Sequence, residues 1–191
     1  MMRGERNTVV LTEDMKQVVR QQRLGFAATV CPDGTPNLSP KGTTAVWDDE
    51  HLIFADIRSP QTVQNLRANP AIEVNVVDPI ARRGYRFKGQ ATVVDGGELL
   101  EQILAFYEAG DAPVTDAGTR VRAAVLVSVE RALPLVSPAY DLGLTEDAIR
   151  AAWWSHHAAL QNRPPGEQAA PTAGAPALPR HDGPGWVSGM A

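Results

Sequence analysis

Asp33-Gly34 lies between GFAATVC and TPNLSPKGTTAV, two runs rich in strand-forming residues, and no other dipeptide constrains this chain as much. Asp-Gly favours the positive-φ turn that joins two antiparallel strands without fighting their twist, so it predicts a hairpin. The stretch PNLSPKGTTAV reads as one strand closing at Asp48-Asp49-Glu50, and HLIFADI returns antiparallel to it. AIEVNVVD and YRFKGQATVV pair through PIARRG, with Gly89 marking a bulge or bend. RVRAAVLVSVERALPLV reads as a long strand whose apolar centre predicts burial on both faces. Helices punctuate these strands. TEDMKQVVRQQRL has Thr12 as N-cap and Met15, Val18, Val19 and Leu24 on one face. RSPQTVQNLRANP starts with Ser59 as cap and Pro60 at the first helical position, and it stops at Asn69-Pro70. GGELLEQILAFYEAG places Leu99, Leu100, Ile103, Leu104 and Phe106 for burial. Strands joined by tight turns and capped by helices favour an antiparallel barrel of mainly β, α+β character over a parallel doubly wound sheet.

With 191 residues and 43% hydrophobic content, the chain can bury one domain's core and still carry attachments. The predicted division is a barrel domain over 1–138, a helical extension over 139–161 started by Thr145, and a Pro/Ala/Gly-rich tail over 162–191. A net charge of -4 argues against a nucleic-acid partner, which needs a basic surface to displace counterions. No apolar run reaches the length of a membrane span, and MMRGERNTVV lacks the apolar stretch of a secretory signal, so the reading is cytoplasmic with no membrane partner. Cys31 is the only cysteine, which excludes an intramolecular disulfide and a cysteine metal cage. HExxH, GxSxG and GxGxxG patterns are missing, and the adjacent His156 and His157 point apart on a helix, so no metal site is expected. With Trp153 and Trp154 they read as a packing or interface patch.

The strand-to-helix junction FADIRSPQT carries the clearest chemistry. A helix N-terminus exposes unpaired N–H groups and the positive end of its dipole, which suits an anion. Arg58 adds charge, Ser59 and Thr62 add hydroxyls, and Gln61 adds an amide. Lys41, one of three lysines with Lys16 and Lys88, lies on the strand expected to pair with the one ending here. A cation and a helix N-terminus are therefore expected to converge; ordinary helix capping with Arg58 in solvent is the alternative. In YRFKGQA, Arg86 and Lys88 share one strand face, opposite Tyr85 and Phe87.

From GFAATVCPDGTPNLSPKGTTAVWDDEHLIFADIRSPQTVQNLRANPAIEVNVVDP through RRGYRFKGQATVV, the chain resembles the pyridoxamine 5'-phosphate oxidase-like family of FMN-binding split barrels over roughly residues 8 to 136. The resemblance implies a six-stranded antiparallel split barrel with flanking helices, a homodimer, and FMN in clefts at the subunit interface. It places Pro40, Lys41, Gly42 and Thr43 along the flavin, Ala55 and Asp56 at the end of the next strand, and Arg58, Ser59, Gln61 and Thr62 near the phosphate. Gly84 and Arg86 would reach in from the other subunit. Family oxidases of vitamin B6 carry Arg-Lys where this chain has Gln61 and Thr62, and a substrate-phosphate lysine where it has Ala45. These departures argue against pyridoxamine-phosphate oxidation itself and for hydride exchange between flavin N5 and another small organic substrate. A deazaflavin reductase and a flavin- or haem-binding protein without turnover are the alternatives. Tyr140, Asp141 and His156, on the extension, are further candidates for lining the substrate pocket.

Overall fold

The computed structural model describes residues 10–110 and 121–162. The tail expected over 162–191 thus falls, from residue 163 onward, outside the described residues. Helix α1 (Glu13–Gln22) is capped by the Thr12 hydroxyl, which accepts from Met15 N. Strands β1 (Gly25–Val30) and β2 (Pro36–Lys41) form the hairpin set by Asp33-Gly34. Gly34 adopts φ 84°, and the Asp33 carboxylate accepts from both the backbone N–H and the hydroxyl of Thr35. Then follow β3 (Ala45–Val46), β4 (His51–Asp56), α2 (Pro60–Ala68), β5 (Ala71–Asp78), β6 (Arg83–Val94), α3 (Gly97–Ala109) and β7 (Ala123–Val136). A short α4 (Pro138–Asp141) and α5 (Glu146–Gln161) complete the described chain, with the Thr145 hydroxyl capping α5 through Ala148 N.

All strand pairings are antiparallel, in the order β2-β1-β5-β6-β7-β4-β3. Among the described residues the sheet has seven strands rather than the expected six, because the stretch 36–46 is not one strand. Its first part pairs with β1 at one edge and its last two residues pair with β4 at the other. The link Gly42–Thr44 therefore joins the two edges of the curled sheet. Both flanks hold it: Thr44 Oγ1 donates to Lys41 O at 2.8 Å, and Thr43 Oγ1 accepts from Ala55 N at 2.8 Å. Lys41 consequently pairs with Gly25 of β1, not with the strand ending at Asp56 as its sequence position suggested.

Alternation fills the interior. Ala27, Val74, Val76, Phe87, Val125, Val127 and Val129 point inward with Leu52 and Phe54, and all are essentially buried. On the opposite face of β4 and β7, Ile53, Ala55 and Ala124 pack under Ile103 and Tyr107 of α3. That double coverage explains why β4 and the start of β7 read as continuous apolar runs. The register shifts between Lys88 and Gly89, and a Cβ at Gly89 would strike the Ser128 carbonyl, so the bulge requires glycine.

The extension packs at the Asp78 end of β5, away from α2 at its Ala71 end. Arg150 pairs with Asp78 at 2.9 Å, Arg83 reaches Glu146 at 3.0 Å and Asp14 at 2.9 Å, and the Tyr140 hydroxyl donates to Ala81 O at 2.7 Å. Arg82 stacks on Trp153, with its guanidinium carbon 4.2 Å from the ring centroid. None of the helices described is long and apolar enough to cross a membrane.

Candidate functional site

The barrel's closing link and the start of α2 bring a buried cation to a helix N-terminus. Lys41 is the last residue of β2 and points inward, leaving only 3% of it exposed. Its ammonium donates to Ser39 Oγ at 2.7 Å and Thr62 Oγ1 at 3.2 Å, and stands 5.7 Å from the centroid of the Phe54 ring. Burial pulls its pKa below the usual lysine range, partly offset by the negative charge of Asp56. Lys41 is thus a cation held by neutral oxygens, an arrangement that favours an added anion.

Pro60 starts α2 as its sequence position predicted, but Ser59 forms no side-chain cap bond. The bend is held by Asp56 instead, whose Oδ1 accepts from Ser59 N at 2.9 Å. The first turn of α2 carries no acidic residue, so its N–H groups and the Ser59 hydroxyl face no carboxylate from within the helix. Thr62 is buried, while Arg58, Gln61 and Pro40 are exposed. Gln61 donates through Nε2 to Asn65 Oδ1 at 2.8 Å. Ala55 and Asp56 are buried beside Thr43, whose carbonyl accepts from the Tyr107 hydroxyl at 2.8 Å. Burial pushes the Tyr107 phenol well above the usual tyrosine range, so it stays a donor.

Ten of the twelve predicted residues therefore gather along β2, the link, the end of β4 and the start of α2. Gly84 and Arg86 do not join them within one chain. They lie on β6, where Gly84 pairs with Val77 and Arg86 with Asn75. A Cβ at Gly84 would strike the Val76 carbonyl, so close packing of β5 against β6 accounts for this glycine. Arg86 Nε lies 2.9 Å from Glu73 Oε1, yet neither it nor Asn75 Oδ1 has an aligned hydrogen bond among the described residues.

Asn65 was not predicted and is the site's hub. It is fully buried on α2 and donates to Thr29 Oγ1 at 3.0 Å, and Asn37 donates to the same hydroxyl at 3.1 Å. The signal in the sequence is a polar residue inside the buried stripe Thr62, Val63, Leu66 of an amphipathic helix. Tyr140, Asp141 and His156 sit on α4 and α5; Tyr140 is tied to Ala81, at the other end of β5 from α2.

The family model for pyridoxamine 5'-phosphate oxidase matches residues 11–132. Among solved structures, HupZ of Group A Streptococcus is 31% identical with a TM-score of 0.58, the match covering 66% of this chain and 95% of that one. An F420 reductase is 28% identical, with a TM-score of 0.51 and coverage of 64% and 98%. An FMN-binding protein from Syntrophomonas wolfei subsp. wolfei shares the fold at 14% identity, TM-score 0.55, with coverage of 65% and 86%. No curated protein matches. A family match spanning most of the chain, on a curled antiparallel sheet with a cation at a helix N-terminus, makes this chain a member of the pyridoxamine 5'-phosphate oxidase family of flavin-binding split barrels.

Proposed function

We propose that the protein is an FMN-dependent oxidoreductase that works as a homodimer on a small organic substrate other than pyridoxamine phosphate. The observation that carries this reading is Lys41: a residue 3% exposed whose ammonium, among the described residues, donates to two hydroxyls, one of them on the acid-free first turn of α2. The residues present fit the cofactor. Lys41, the Thr62 and Ser59 hydroxyls and the α2 N–H groups suit a phosphate, and they supply what the missing Arg-Lys pair would have given. Asp56 is an acceptor, so it suits hydroxyl donors such as a ribityl chain and not the phosphate itself. Gln61 and Arg58 are exposed at the same helix start and complete its polar rim. Pro40, Gly42 and Thr43 form the adjoining wall, where little side chain stands between ligand and backbone.

FMN, when bound, supplies hydride exchange at N5. The chain's part is to fix its position, exclude water and set the Lys41 charge against its phosphate. The outer face of β1, β2, β6 and β7 supports the dimer. Phe26, Leu38 and Leu133 are exposed there, a patch of apolar side chains suited to a second copy. Gly84 and Arg86 would then act from the second subunit.

Purified protein should be yellow and release FMN on denaturation. A colourless protein that takes up no added FMN overturns the reading. Similarity to an F420 reductase favours a deazaflavin as the second reading, and displacement of FMN by F420 in a competition titration would select it. Tight FMN binding with turnover of donors no faster than free FMN would instead indicate a non-catalytic flavoprotein.

A further inference from the structure

A cavity of about 350 Å³ shares Gly42 and Thr43 with the Lys41 site but not Lys41, Ser39, Ser59 or Thr62. It lies between the second half of α1, β3 with the turn after it, and the end of α3. Its size falls within the range of small-ligand pockets. One wall is aromatic: Trp47 and Phe106 meet edge to face at 5.7 Å, and Phe106 meets Tyr107 in the same way at 5.6 Å. Phe106 is 39% exposed, so the ring is open to the cavity.

The polar groups around this wall divide into two kinds. Lys16, Asp48 and Asp49 are committed: Lys16 bonds Glu13 at 2.8 Å and Asp49 at 2.6 Å, and Asp48 bonds His51 Nδ1 at 2.8 Å and Glu50 N at 2.8 Å. Tyr107 is committed to Thr43 O. Among the described residues, Arg20 and Arg23 are not. Arg20 has Glu13 at 3.6 Å, a carboxylate already shared with Lys16, and Arg23 makes one long bond to Arg20 O at 3.4 Å. The negative end of the α1 dipole accounts for cations at these positions, but not for an open aromatic cavity between them and α3.

We infer that this cavity binds a planar aromatic carboxylate, with its ring against Trp47 and Phe106 and its carboxylate on Arg20 and Arg23. A guanidinium fork matches a carboxylate in two parallel hydrogen bonds, and an aromatic wall selects a ring by edge-to-face contact. Gly42 and Thr43 also belong to the flavin wall, so such a ligand would be the substrate or product of the proposed reaction. That role rests on the flavin reading, whereas the binding does not.

The test is calorimetric titration of the full chain, stripped of flavin, with 2-naphthoate and with neutral 2-naphthamide. The expected result is saturable one-to-one binding of the acid, at least tenfold tighter than the amide. In Arg20→Ala/Arg23→Ala that preference should vanish and the affinity for the acid should fall at least tenfold, with FMN affinity unchanged within twofold. Both arginines are exposed, so the double variant keeps the fold. Absence of saturable naphthoate binding, equal affinity for the amide, an unaffected double variant, or a parallel loss of FMN affinity each overturns the inference. Failure of the wild-type protein to bind FMN overturns the proposed function and leaves the naphthoate result standing.

Discussion

Replacing Lys41 by methionine separates what the buried charge does for the ligand from what it does to the fold. The side chains are similar in length, so the substitution removes the ammonium and its bonds to Ser39 and Thr62 with little change in packing. A hydrogen bond to a charged group contributes about 1.5–3 kcal/mol, which predicts roughly tenfold to 150-fold weaker FMN binding. The apoprotein should respond in the opposite direction. Burial holds the Lys41 pKa below the ordinary 10.5, so between the folded and unfolded values the unfolded chain binds more protons. Wild-type stability from this group is therefore full above about pH 10.5 and is lost as pH falls through the depressed folded value. Lys41→Met lacks that term. Its advantage in thermal unfolding should be largest near neutral pH and should shrink as pH rises toward 10.5. Fluorescence titration with FMN and unfolding scans across that range, both run on the two proteins, read the two effects. Unchanged FMN affinity, or a stability difference independent of pH, would refute the assignment of Lys41 as a buried cation awaiting an anion.

Thr62→Val removes the hydroxyl that holds Lys41 and should weaken FMN about threefold to tenfold at near-native stability; valine suits this test because Thr62 is 1% exposed and a larger or charged side chain would disturb the fold. Asn65→Leu breaks the buried link from α2 to the Thr29 hydroxyl and should lower urea stability by about 2–3 kcal/mol. Gly89→Ala drives a methyl into the Ser128 carbonyl and should destabilise by about 2–3 kcal/mol in the same assay, without a specific effect on FMN. At Asp78, burial raises the pKa, but the N–H groups of Ala81 and Ile80 and then Arg150 outweigh it, so the net shift is downward. Its contribution is full above the ordinary value of 3.8 and is lost as pH falls through the folded value. Asp78→Asn should therefore be less stable than wild type by about 1–2 kcal/mol at neutral pH, with the gap closing in acid urea titrations.

Local chemistry carried a large share of the fold. Asp33-Gly34 set a hairpin, Thr12 and Thr145 capped helices and Pro60 opened α2, each through conformational limits that a few neighbouring residues express by themselves. The candidate site was legible for a similar reason: a helix N-terminus without acids and a lysine in a Pro/Gly-rich strand both announce unusual local demands.

What tertiary structure decided are the relations between segments far apart in sequence. Residues 36–46 look like one strand because their propensities are continuous, yet the curled sheet places Lys41 on one edge and Ala45 on the other, with Gly42–Thr44 across the seam. Asn65 became a hub because barrel closure put Thr29 and Asn37 over α2, a coincidence that no window of sequence contains. Asp56 displaced Ser59 as the holder of the bend because β4 enters it with that carboxylate turned inward. The cavity between α1 and α3 follows the same rule. Its aromatic wall and its arginines lie more than 20 residues apart in the chain and meet only when the sheet brings both helices to the Gly42–Thr44 link. Sequence fixes the conformational preferences of short segments, and the burial of one shared core selects which of their side chains face each other.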